Sequence, residues 1–97
     1  MNTSTLEQAL YFSEIIRNIF PEWYSTEFIY GTVIYNFIYR NNNEEDSFIQ
    51  IISSNLTVIL ITVFKTKQKR IWEIKCSKDN IVPYLKKAKE VFINEKL

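Results

Sequence analysis

Through the first twenty positions, Leu6, Ala9, Leu10, Ser13, Ile16, Ile19 and Phe20 recur at spacings of three and four, with Glu7, Gln8, Glu14, Arg17 and Asn18 largely off that stripe. This period predicts an amphipathic helix. Ser4 and Glu7 form a capping pair at its start, each able to satisfy a free backbone donor, and Pro21 ends it. Tyr11, Phe12 and Ile15 widen the apolar surface beyond a single stripe.

The pattern then changes to one suited to a pleated surface. Residues 27–40 are rich in Ile, Val, Tyr, Phe and Thr and predict one long first strand, with Gly31 marking a bulge or bend inside it. A polar connection at 41–46 leads to a second strand at 47–53, and Ser54-Asn55 to a third at 56–66. After a turn at 66–69, residues 71–76 make a fourth strand. The short connections favour an antiparallel meander. Ser77, Asp79 or Asn80 can cap a last helix that tolerates Pro83 in its first turn. Tyr84, Leu85, Ala88, Val91 and Phe92 give that helix an apolar face, and Lys86, Lys87, Lys89 and Glu90 line the other. The expected fold is α+β: N-terminal helix, four-stranded antiparallel meander sheet and C-terminal helix, in a single domain spanning residues 1–97.

Alternation within the strands makes both faces of the sheet apolar. Leu56, Val58, Leu60 and Phe64 point one way, and Ile59, Ile61 and Val63 the other. In the long first strand, Ile29, Val33, Tyr35, Phe37 and Tyr39 share one side, and Phe28, Tyr30, Ile34 and Ile38 the other. Two helices can take one face each, or both can lie on one face. In the second case the remaining face is left to a partner or a second copy of the chain, because monomers seldom expose large apolar patches. Phe28, Tyr30, Ile34 and Ile38 are the candidate interface on this reading, and a homodimer the expected form.

Composition adds little to the fold and much to the function classes. With 46% hydrophobic and 24% charged residues in 97, the chain has enough apolar material for one core. Its longest apolar run falls far short of the roughly 20 residues a membrane span needs, and no basic-then-apolar leader opens it. A cytoplasmic location without membrane attachment is expected, and the single cysteine, Cys76, agrees with a reducing compartment or simply with a buried strand position. Fifteen Ile, nine Lys and nine Asn against two Ala and one Gly are the bias of AT-rich codons. That bias suits an accessory gene of a phage or other mobile element.

Missing residue types exclude most chemistry. With no histidine there is no Ser-His-Asp or Cys-His catalysis and no histidine-ligated zinc. One cysteine cannot make a redox pair, and one glycine cannot make a P-loop or a dinucleotide fingerprint. No cofactor is expected. Glu73-Ile74-Lys75, on a strand before a helix, resembles the E-x-K half-motif of restriction-type metal-dependent nucleases. The resemblance spans three residues and implies Glu73 as a metal ligand and Lys75 beside the scissile phosphate. That family also carries an aspartate on the preceding strand, whereas residues 56–66 hold no carboxylate and Asp46 lies at the start of the second strand. The alternative is an outward-facing ion pair on an edge strand, with Trp72, Ile74 and Cys76 turned inward.

Charge is unevenly spread. Residues 1–50 carry seven acids against two arginines, a net of −5, and residues 51–97 carry ten bases against four acids, a net of +6. Lys65, Lys67, Lys69 and Arg70 gather near one hairpin tip, and Lys86 and Lys89 lie on the last helix. These six are the candidate contacts for nucleic acid or an acidic partner, the bland alternative being a solvated turn and an edge guarded by lysine. The leading expectation is a non-catalytic protein-binding module, self-associating, of the inhibitor, immunity or anti-defence kind. A single-stranded nucleic-acid binder comes second and a minimal metal-dependent nuclease third.

Overall fold

The computed structural model describes residues 5–40, 47–55, 57–66 and 69–94. The Ser4 cap, the 41–46 connection, Leu56 and Lys67 named above lie outside the described residues. The element order is α1 (Thr5–Ile19), β1 (Tyr24–Tyr30), β2 (Val33–Tyr39), β3 (Phe48–Asn55), β4 (Val58–Lys65), β5 (Lys69–Cys76) and α2 (Ile81–Asn94). The fold is α+β, with five strands rather than four in one antiparallel meander of order β1-β2-β3-β4-β5.

The extra strand comes from Gly31. The expected bulge is a complete hairpin reversal, with Tyr30 paired to Val33 across the two-residue loop Gly31-Thr32. Gly31 has φ 60, and Thr32 is not among the residues with positive φ. Positive φ at the first central residue alone is the signature of a type II′ turn, whose twist matches that of paired strands. A side chain at Gly31 would meet nothing within 4 Å, so the need for glycine is conformational and not spatial.

Both helices lie on the same side of the sheet. That layer buries Ile34 and Ile38 of β2, Ile49 and Ile51 of β3, and Ile59, Ile61 and Val63 of β4, all at 0% exposure. Against them come Phe12 and Ile16 of α1 and Leu85, Ala88 and Phe92 of α2, in one continuous core. Burying each large apolar side chain contributes about 1.5–3 kcal/mol, so this layer is the main source of stability. Of the stripe expected on α1, Leu6 and Leu10 are exposed, while Gln8 and Phe12 are buried. The helix is rotated so that its largest apolar side chain, Phe12, reaches the core along the line Ala9, Phe12, Ile16, Ile19. Helix α2 buries Ile81, Leu85, Ala88 and Phe92, close to the face its spacing predicts. No described helix is long and apolar enough to cross a membrane.

Gly31→Val is expected to lower the unfolding free energy by about 1–3 kcal/mol, because a branched side chain must hold the left-handed conformation. Thr32→Ala should leave it nearly unchanged. Urea denaturation of the two variants checks the comparison.

Candidate functional site

The face of the sheet opposite the helices has no described element over it. Cross-strand register assigns its residues, since partners in a ladder share a face. One row runs Tyr24, Tyr39 on β1 and β2, then Phe48, Phe64 and Arg70 on β3, β4 and β5. The next runs Thr26, Phe37, Gln50, Thr62 and Glu73, and a third Phe28, Tyr35, Ile52, Leu60 and Lys75. Tyr30 and Val33 close the hairpin end. Eight aromatic rings thus stand on a face that no described element covers. Tyr30 is 72% exposed, Tyr24 52% and Phe28 51%, while the rings of β2, β3 and β4 are half-buried against one another.

The rings interlock. Phe28 meets Phe37 edge-on at 5.8 Å, Phe37 meets Phe48 at 5.7 Å, and Phe48 stacks on Phe64 at 4.8 Å. Tyr30 packs edge-on against Tyr35 at 6.1 Å. Such offset and T-shaped contacts add about 0.5–1.5 kcal/mol per pair beyond burial and hold the rings in fixed orientations.

At the β5 edge the face becomes charged. The register slips between Val63 and Phe64, where Ile71 is the extra residue on β5. Without that slip, residues three apart in a strand would project to opposite faces. With it, Arg70 and Glu73 meet on the open face at 3.2 Å. Glu73 also accepts a hydrogen bond from the Thr62 hydroxyl at 2.9 Å. The half-motif carboxylate is therefore engaged by Arg70 and Thr62, while Trp72, Ile74 and Cys76 face the helix layer. Among the described residues, no group of three or more His, Cys, Asp or Glu stands close enough to hold a metal ion.

The basic cluster is divided by the sheet. Lys65 sits with its ammonium 4.1 Å from the centre of the Phe92 ring, on the helix side, with Lys69 across the ladder from it. Arg70 lies on the open face, and Lys67 is outside the described residues. Lys89 donates to the Ile19 carbonyl at 2.6 Å, tying α2 to the end of α1, and lies over the Phe20 and Trp23 rings. Lys86 is exposed on the outer side of α2.

The four interface residues proposed from the sequence also separate. Phe28 and Tyr30 stand on the open face, whereas Ile34 and Ile38 are buried under the helices at 0% exposure. Alternation through one continuous strand puts all four together, but a two-residue hairpin pairs position 30 with 33 and so inverts the parity. The half-buried rings of β3 and β4 were the part of the surface that sequence alone missed. The signal was present in Phe48 and Phe64, but it needed the register to join them to Tyr35, Phe37 and Tyr39.

On the helix side, β1 has a cleft of about 370 Å³ next to it, bounded by Arg17, Trp23, Glu27 and Asn36 among others. Asn36 is 2% exposed and its amide nitrogen has no hydrogen-bond partner among the described residues. Glu27 faces it across the ladder, and partial burial pushes the Glu27 carboxyl above its ordinary range. Burial likewise pushes the Cys76 thiol above its ordinary value.

No protein-family model matches the chain, and no curated protein or solved structure is significantly similar to it. What the structure itself defines is an α+β protein with both helices on one face of a five-stranded meander and an aromatic face that no described element covers.

Two outcomes follow from these side-chain environments. Lys89→Met removes a charged hydrogen bond to the end of α1 and should cost about 1.5–3 kcal/mol, while Lys86→Met should cost close to nothing; thermal unfolding distinguishes them. For Glu27, a raised native pKa means the fold favours the protonated carboxyl, so its contribution is present at low pH and lost as pH rises through the carboxylate range. Glu27→Gln should therefore unfold at higher temperature than the parent at pH 7, with the gap closing in acid.

Proposed function

We propose that the protein is a non-catalytic binding module that docks other protein surfaces, and copies of itself, through the open aromatic face. The observation that carries the reading is the placement of both helices on one side of a sheet that is apolar on both. Contiguous apolar surface of this kind marks interaction sites in soluble proteins, and Tyr and Phe are enriched where partners bind tightly. Its codon-driven composition and small size suit an inhibitor, immunity or anti-defence factor of a phage or mobile element, acting in the cytoplasm.

Single-stranded nucleic acid is the weaker alternative. Bases need flat rings free to stack beside a positive groove. Here most of the rings pack against each other, and Lys65 and Lys89 are held on the helix side. A nuclease reading is weaker still, since Glu73 is bound by Arg70 and Thr62.

Phe28→Ser with Tyr30→Ser removes two exposed rings without touching the core. Light scattering of the parent at micromolar concentration should report a species larger than the 11.6 kDa monomer. The double variant should stay folded and shift toward monomer, with stability lowered by about 1–3 kcal/mol for the lost Phe28–Phe37 and Tyr30–Tyr35 ring contacts. Apolar docking should survive added salt, in contrast to phosphate binding, which weakens steeply with it. An assembly indifferent to both substitutions and dissolved by salt would overturn the proposal.

A further inference from the structure

We infer that a second copy of the chain covers the open face directly, sheet on sheet, with the two-fold axis running parallel to the strands through β3. The inference rests on the binding role of that face and specifies its occupant and geometry.

Area is the first argument. Five strands about 4.8 Å apart and seven residues of about 3.4 Å each make a face of about 24 by 24 Å. Two such faces in contact remove at least about 1,100 Å² from water, above the roughly 1,000 Å² a specific interface needs. The available alternative, pairing of the exposed β1 edges, would extend the sheet to ten strands and leave twice the aromatic surface uncovered.

Charge then selects the axis. All described charge on the face lies on β5, in Arg70, Glu73 and Lys75, and the β1 positions Tyr24, Thr26, Phe28 and Tyr30 are uncharged. A two-fold perpendicular to the strands would stack β5 on the partner's β5, opposing Glu73 to Glu73 and Arg70 to Lys75 in a desolvated seam. That arrangement is repulsive. A two-fold parallel to the strands sets β5 over β1 of the other copy instead. Arg70 then lies over the Tyr24 ring and Lys75 over Phe28, each a cation above an aromatic face, and Glu73 meets the Thr26 hydroxyl. On the axis, Phe48, Gln50 and Ile52 each meet their own counterparts. The Gln50 amide has both a donor and an acceptor, so two copies satisfy each other reciprocally at the centre of the seam. The result is a closed, isologous pair, a β-sandwich with its helices outside.

Cross-linking in a Cys76→Ser background tests the arrangement, since Cys76 is buried and its loss removes the only native thiol. Thr26→Cys and Glu73→Cys are made separately and treated, alone and mixed, with a bis-maleimide short enough to bridge sheets packed about 10 Å apart. The expected result is a covalent dimer in the mixture and in neither variant alone. A dimer from Thr26→Cys alone or Glu73→Cys alone would overturn the geometry, indicating β1-edge pairing or the perpendicular axis. A parent that stays monomeric, while Phe28→Ser with Tyr30→Ser still weakens binding to a purified protein partner, would overturn the second copy as occupant and leave the binding role intact.

Discussion

Packing of α2 onto the middle of the sheet is the contact from which the rest of the architecture follows. Leu85, Ala88 and Phe92 join the 0%-exposed residues of β3 and β4 in one core, and α1 completes it over β2. Ala88 lets the helix approach closely, while the branched isoleucines below have few rotamers to lose on burial. Once both helices have settled there, nothing described remains to cover the other side of strands that are apolar in both directions.

Two lysine side chains help to hold this layer together. Lys89 reaches a carbonyl at the end of α1, where the helix leaves acceptors unfilled and its dipole favours a cation. Lys65 lies over Phe92, and the Phe20, Trp23 and Phe92 rings meet edge-on around the same corner. A basic C-terminal half in the sequence therefore does not become a single basic surface. The pleat sends Lys65 one way and Arg70 the other, and the bulge at Ile71 brings Arg70 onto the same face as Glu73.

The two edges of the sheet differ in the same sense. Strand β5 carries Lys69, Arg70, Glu73 and Lys75, charges that discourage further strand pairing. Strand β1 carries only Glu27 and is exposed along its whole length. Its companion on the helix side, Asn36, keeps a buried amide nitrogen beside that carboxyl with no hydrogen-bond partner among the described residues. The β1 end is thus the least saturated part of the molecule, and its open-face rings, Tyr24, Phe28 and Tyr30, are the most exposed aromatics on the sheet.

The amino-acid pattern by itself determined that α1 and α2 exist, that the strands between them form an antiparallel meander, and that these strands are apolar on both faces. Those features are local: a period of 3.6 or 2, a proline, short polar connections. Tertiary structure decided how the faces were divided. The hairpin at Gly31 depends on a backbone conformation that a lone glycine permits but does not announce, and it reversed the parity that grouped Phe28 and Tyr30 with Ile34 and Ile38. The shared side of the two helices, and with it the aromatic surface from Tyr24 to Phe64, depends on contacts between residues distant in sequence, because which face a helix covers is set by what it packs against and not by its own stripe.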